Sequence, residues 1–288
     1  NLKWRFTYWH NLADFYDLFG PVDRSLKGDA FIVGYKDPLI YDPPKQLTFD
    51  AEVAGYLGLD TVPGAQNVAT GDIHNIASAK ANIAYENTDK SLGALDYEKG
   101  VRALVSVEDD YANGQTFPKA WATVAFGRPL PINHASLWLY TSVGDAGGAA
   151  DNPLTPFYLG AFGNNYVDIR EVKRYREYDS FPGFGIDAIS ARRFAKGLIE
   201  LNLPPVWFGG VGTSSFYLSS ARTALFTGVM LVDPPTGPQR TLESVGGQID
   251  FNLTAALRLP MVLSVGYAAG LESGQKTGSE GLISLKIM

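Results

Sequence analysis

The sequence predicts an all-β protein: an antiparallel transmembrane β-barrel of about 12 strands (range roughly 12–16) with one long loop folded toward its lumen. Apolar and polar residues alternate along most of the chain. No run of about 18 apolar residues is present to form a membrane-spanning helix. The connections between the alternating segments are long or short by turns. The alternation is clearest in VGGQIDFNLTAALRLP, where Gly247, Ile249, Phe251, Leu253, Ala255 and Leu257 interleave with Gln248, Asp250, Asn252, Thr254, Ala256 and Arg258. Side chains on a strand point to opposite faces in turn. One face of this segment is therefore apolar, and the other carries an acid, two amides and a base.

The same beat is legible from the first residues. LKWRFTYW sets Leu2, Trp4, Phe6 and Tyr8 against Lys3, Arg5 and Thr7. AFIVGYK sets Phe31, Val33 and Tyr35 against Ile32, Gly34 and Lys36. In QLTFDAEVAGYLG, Leu47, Phe49, Ala51, Val53 and Leu57 oppose Thr48, Asp50, Glu52 and Tyr56. Ala77, Ala79, Ala81, Ile83 and Tyr85 then oppose Ser78, Lys80, Asn82 and Glu86, and Val101, Ala103, Val105 and Val107 oppose Arg102, Ser106 and Glu108. KAWATVAFG and HASLWLYTSVG follow with weaker contrast. After a long irregular stretch come RRFAKGLIELNLPP, SSARTALFTGVMLVDPP, the segment around Asp250, MVLSVGYAAG and EGLISLKIM, giving an even number of strands. VWFGGVGTSSF reads either as a further strand or as a turn.

Loop lengths follow parity. The longest odd connections are HNLADFYDLFGPVDRSLKG, TVPGAQNVATGD and the segment 145–189, whereas RPLPIN, LPP and RLP are tight, proline-bearing even turns. Outer-membrane barrels have long loops outside and short periplasmic turns, so this pattern places the long loops outside the cell. The connections around DPLIYDPPKQ and NTDKSLGALDY are longer than the rule expects.

Period 2 alone does not say which face is inside. The strand number does, because about 12 strands enclose a lumen too wide for apolar side chains to fill. Asp50, Glu52, Lys80, Arg102, Lys196, Glu200, Asp250 and Arg258 share one parity and are expected to line that lumen. Tyr8, Tyr35 and Tyr85 are expected at the lipid interfaces.

The remaining composition narrows function. The formal net charge of −6 and the lack of a basic cluster exclude nucleic acid as an expected partner. The chain has no cysteine, so disulfides and thiolate metal sites are excluded. No metal-spaced His/Asp/Glu motif or Walker loop occurs, and neither a cofactor nor a metal is expected. Gly160, Gly163, Gly183 and Gly185 read as turn positions rather than a phosphate cradle. Asp109, Asp110 and Asp233 read as solvated acids of outer loops. His134 and Ser136, expected on one strand face, are the nearest approach to a Ser–His pair, but no orienting third group accompanies them. The chain is therefore not read as an enzyme. It opens already in alternation and without a signal peptide, as a mature or trimmed chain with an upstream part missing would.

The segment from 145 to 189 is too long to be an idle connection and too rich in Tyr, Phe, Arg and Gly to be disordered. It is expected to pack into the charged lumen of a single domain spanning 1–288. Lys173, Arg174 and Arg176, interspersed with Glu171, Glu177 and Asp179, form either a solvated charge run or a plug paired with wall charges such as Glu52, Glu200 or Asp250.

From about Phe157 to Met288, the order of elements resembles the C-terminal half of the BamA/FhaC-type barrels, the bacterial surface antigen superfamily. Phe181-Pro182-Gly183-Phe184 lies where that family has an arginine-glycine-aromatic motif on a loop folded into the lumen. Glu200 in KGLIELNLPP resembles the acid of the following strand. SARTALFTGVML resembles the next strand, and the Asp250 segment with MVLSVGYAAG resembles the hairpin after it. ADFYDLFGP in the N-terminal part is similar to barrels fused behind TolB-like β-propellers.

The resemblance implies an outer-membrane protein-assembly or transport module of a larger complex. Its implied surroundings are outer-membrane lipid and lipopolysaccharide, with partner proteins or an upstream periplasmic domain. The chain departs from the family in that Pro182 replaces the motif arginine, which moves the expected loop tether to Arg174 or Arg176. It also carries no POTRA-type repeats, and Met288 stands where the family ends on an aromatic. A passive porin or solute channel, a barrel-bound lipid hydrolase and a soluble β-rich binding domain are the alternative readings.

Overall fold

The structure, a computed structural model, describes residues 3–10, 27–65, 68–163, 172–213, 215–256 and 258–287. Expectations for Leu2, Glu171, Leu257, Met288 and the loop 11–26 lie outside the described residues.

The described chain is all-β apart from one 3-10 turn at Arg174–Arg176. β1 (Trp4–His10), β2 (Asp29–Asp42), β3 (Lys45–Leu57), β4 (Ile76–Asp89), β5 (Lys99–Ala112), β6 (Gln115–Pro129) and β7 (Ser136–Ala146) are successive antiparallel neighbours. Next in chain order, β8 (Phe157–Leu159) and β9 (Ile189–Ala191) form a separate small hairpin at the base of the long loop. The main sheet resumes at β10 (Arg193–Asn202), beside β7. β11 (Val206–Thr213) pairs with β12 (Phe216–Asp233), which also pairs with β10. The sheet ends with β13 (Arg240–Ala255), β14 (Leu259–Glu272) and β15 (Gln275–Ile287).

β10 and β11 are two parts of one strand. Asn202 pairs with Ala224, Leu203 N donates to Thr223 O, Val206 pairs with Ala221, and Thr213 pairs with Phe216. The chain thus runs along β12 in one direction throughout. Leu203-Pro204-Pro205, expected as a turn, is instead a break inside a strand, and the turn lies beyond Thr213. Proline has no N–H to give the ladder, so pairing lapses there and then resumes on the same partner. The strand path accordingly has twelve members, and every later strand keeps its expected direction.

Two hairpins are set by their turn residues. Asn113-Gly114 and Ser273-Gly274 both have positive φ at both central positions (49° and 78°; 52° and 76°), the geometry that matches the twist of flanking strands. Asp109 and Asp110, expected in an outer loop, lie within β5, because the tight Asn-Gly turn lets the ladder run to Ala112. His134, expected on a strand, lies in the turn before β7 at φ 62°.

The two faces of the sheet differ in kind. One exposes Val105, Val107, Val143, Ile199, Leu225, Val229, Val245, Val265, Ile283 and Leu285, strand after strand. The other carries charges such as Glu52, Lys80, Glu108, Lys196, Glu200 and Asp250 and is partly covered by three apolar clusters formed with the connecting loops. A water-soluble sheet has its apolar face covered and its charges free. β1 and β15 are the sheet edges, and among the described residues no ladder joins them. Among the described residues the expected closure into a barrel is not present as strand pairing.

Candidate functional site: the long loop on its charged wall

The loop between β7 and β10 covers the inner face of β10 and β12–β15. β8 and β9 pair at its base, and an isolated bridge between Ala161 and Phe181 brings its two arms together. Phe157, Leu159, Phe181 and Ile189 are buried against Trp121, Phe194 and Met230 of the wall. Tyr175 stacks on Phe226 with ring centroids 4.3 Å apart, and Phe162 meets both rings edge-on. Aromatic side chains here supply the large contact area that such a loop needs to remain ordered.

Charges fix its position. Arg176 donates from Nε to Glu200 Oε2 at 2.8 Å and from Nη2 to Glu200 Oε1 at 2.6 Å, a bidentate pair. The Glu200 side chain is 0% exposed and also accepts from Asn202 Nδ2 at 2.6 Å. Arg176 Nη2 reaches Asp96 Oδ2 at 3.0 Å, and Lys173 Nζ reaches the same oxygen at 2.9 Å. Lys173 also donates to Asn202 Oδ1.

Asp96 belongs to the turn between β4 and β5, so this turn reaches in from the opposite end of the sheet. Burial acts to raise the Asp96 carboxyl, but the charges of Arg176, Lys173 and Arg222 outweigh it and hold the group well below the ordinary carboxylate range. Burial likewise opposes the Arg176 charge, and Glu200 foremost overcomes it, so the guanidinium stays firmly protonated.

The Phe181-Pro182-Gly183-Phe184 tip lies on β13–β15. Ser244 Oγ donates to Pro182 O at 2.6 Å. Glu280 accepts from the backbone N–H groups of Phe162 (3.1 Å) and Gly183 (3.2 Å), one from each arm. Gly183 has φ 96°, and a Cβ there would lie 2.4 Å from Gly270 N. Gly270 and Gly278, paired across β14 and β15, leave the space that the tip enters. Gln248 Nε2 donates to Val172 O at 3.2 Å, and buried Lys196 donates from Nζ to the carbonyls of Glu177 and Ser180.

The residues singled out from the sequence are thus distributed unevenly. Arg176, Glu200 and the tip meet the wall directly. Arg174 is buried beside Gly163, and its charge bears on Glu280. Asp250 accepts from Gln248 Nε2 and Ser264 Oγ and faces Arg222 at 3.8 Å. Glu52 is engaged by Arg5 at 2.5 Å, away from the loop. Arg258 does not join the wall; it is exposed in the turn after β13, and its N–H donates to Ala255 O. Sequence reasoning missed Asp96, Glu280 and Ser244. Glu280 shares the inward parity of β15 and was detectable on that ground, whereas Asp96 sits in a turn with no periodicity to orient it.

His134 and Ser136 do not form a nucleophile–base pair. His134 Nδ1 lies 3.2 Å from both Ser91 Oγ and Glu98 Oε1, and the buried Ser136 Oγ accepts from Asn202 Nδ2. Burial works to raise the Glu98 carboxyl, but bonds from Ser91 and His134 hold it below its usual range. No family model matches the chain, and none of the curated proteins matches it significantly.

Proposed function

We propose that the chain is an outer-membrane β-barrel in which the twelve-strand path closes between β1 and β15, acting as a membrane-embedded transport or scaffold module whose loop 145–189 fills part of the lumen. The observation that carries this reading is the apolar face exposed across the whole sheet, opposite a face that buries ion pairs. Lipid is the solvent that suits the first, and an enclosed polar interior suits the second. An even strand number leaves β1 and β15 antiparallel, as closure in a continuous meander requires. A loop anchored by Arg176–Glu200 supplies the filling that barrel side chains alone do not reach.

The resemblance to the surface antigen superfamily supports a role in protein assembly or translocation with partner proteins, in contact with outer-membrane lipid and lipopolysaccharide. A passive solute channel is the second reading, favoured by the water-exposed charges on the inner face of β1–β5. The test is migration on a detergent gel before and after heating. A faster-running unheated band is expected for a closed barrel, and identical migration in both lanes, with no insertion into liposomes, sinks the proposal.

A further inference from the structure

The apolar face of the sheet carries a large concavity. A groove of about 1140 Å3 runs across β1–β7, and its lining residues fall on neighbouring rows of that face. The ladder register sets Val33, Val53, Ala79 and Asp109 side by side in one row. It sets Tyr35, Ala51, Ala81, Val107, Ala120 and Asp145 side by side in the next. Val33, Val53 and Val107 are 40%, 61% and 50% exposed, so the groove opens away from the charged inner face. The row between, which includes Glu52, Lys80 and Glu108, completes its floor.

Side-chain size accounts for the shape. Ala51, Ala79, Ala81 and Ala120 stand where other strands present Val143, Ile199, Leu225 or Val245 to the same face. The rings of Trp4 and Tyr35, 5.0 Å apart, stand at the β1–β2 end.

The groove runs obliquely relative to the strand ends. At β7 it includes Asp145, next to the last residue of the strand, with Gly147 and Arg192 beyond it. On β5 it lies at Val107 and Asp109, short of the end at Ala112. On β3 and β2 it has reached Ala51 and Tyr35, in the middle of both strands. Polarity changes along the same path. Asp109, Asp145 and Arg192 lie toward the β7 end, whereas the β1–β3 end is apolar. Among the described residues neither Asp145 nor Arg192 is in an ion pair; the neighbouring Arg193 is taken by Asp233.

On a face in contact with lipid, an unfilled concavity forfeits dispersion contacts, and water finds no polar partners at its apolar end. A charged end near the strand ends and an apolar end at mid-strand match the two parts of one lipid: a headgroup at the interface and a chain running down into the hydrocarbon. The charged end is mixed in sign. Arg192 suits a phosphate. Asp109 and Asp145 suit an ammonium, and they repel a headgroup that carries phosphates alone.

We propose that this groove is a binding site for a zwitterionic phospholipid whose headgroup joins a phosphate to an ammonium, bound from the leaflet on the side of the long loops, with an acyl chain lying over Ala81 and Ala51 toward Trp4. This inference rests on the membrane-barrel reading and names the lipid that one part of its surface selects.

The test is lipid retention by the full chain. The purified protein is stripped of lipid, exposed in mild detergent to phosphatidylethanolamine, phosphatidylglycerol or lipopolysaccharide, and read by native mass spectrometry. The parent is expected to hold a single phosphatidylethanolamine, in several-fold preference to either of the others. Ala51→Phe with Ala81→Phe fills the groove and should lower retention at least several-fold. Val245→Phe with Val265→Phe, on the same face outside the groove, should leave it unchanged. Asp145→Asn should remove the preference for phosphatidylethanolamine over phosphatidylglycerol while a lipid is still held. A parent that holds no lipid, a filled groove that retains as much as the parent, or a preference for phosphatidylglycerol or lipopolysaccharide overturns the proposal. Heat-shifted migration checks that each variant is folded, and Ala81→Leu, which adds less bulk, is read in the same way should the double variant lose its shifted band. Failure of the barrel reading is distinguishable, because it removes the shifted band from the parent as well.

Discussion

Glu200→Gln tests how the long loop is held. The carboxylate is fully buried and takes both Arg176 bonds, at 2.6 and 2.8 Å, with Lys173 Nζ a further 3.7 Å away. The amide keeps the shape and removes the charge. Arg176 and Lys173 are then left sharing Asp96, which is 21% exposed. Breaking one partner of a buried pair costs about 3–5 kcal/mol, because the other charge remains buried without compensation. At about 2–4 °C per kcal/mol for a chain of this size, the midpoint of the heat-induced band shift should fall by roughly 6–20 °C.

The double variant Arg176→Gln with Glu200→Gln removes both charges and should recover part of that loss, since neutral residues in place of a buried pair are often tolerated. A Glu200→Gln midpoint within about 2 °C of the parent, or a double variant less stable than the sum of the single variants, would refute the view that this pair anchors the loop.

Gly183→Ala forces a Cβ to within 2.4 Å of Gly270 N at a φ of 96°; strain of at least about 1–3 kcal/mol is expected, and trypsin should gain access to Lys173 and Arg174, which are buried in the parent. A loop as resistant as the parent's would contradict the close docking of the tip. Asp96 has a folded pKa held below its unfolded value of about 3.9, so its contribution is complete above that pH and is lost as pH falls toward the folded value. Asp96→Asn should therefore lower the heat-shift midpoint at neutral pH, and the gap from the parent should stay constant between about pH 8 and 5 and narrow below about pH 4; a gap that closes near neutrality would rule this out. His134→Ala should leave any lipid hydrolysis by the purified protein unchanged, because His134 contacts Ser91 and Glu98 and Ser136 is bonded to Asn202; loss of a measurable activity would reopen the hydrolase reading.

The regular strands were legible because period 2 is a local property. The alternation around Asp250 appears in the structure as β13, with Ile249 exposed on one face and Asp250 buried on the other. β11 was harder to read. Its glycines blur the alternation, and Leu203-Pro204-Pro205 has the local chemistry of a turn; only continued pairing with β12 reveals it as a break in one strand. The same limit applied to His134, whose spacing from Ser136 suggested a shared face although a turn separates it from the strand.

At the site, Arg176 and Glu200 were legible from a charge run and from strand parity. Asp96 was not, because a turn entering from the opposite end becomes a partner only through the tertiary fold. Arg258 fell outside the wall because the strand ends at Ala255, three residues earlier than the alternation suggested.

The central claim is that the exposed apolar face meets lipid. The chain contains no cysteine, so single cysteines at Val105, Val107, Val265 and Ile283 on that face, and at the water-accessible Glu52, Lys80, Arg102 and Glu108 on the other, can each carry one fluorophore without a background label. In liposomes, a quencher confined to the acyl chains is predicted to quench the first four positions and spare the second four. Equal quenching of both sets by a water-soluble quencher, with none from the lipid phase, would contradict the membrane barrel.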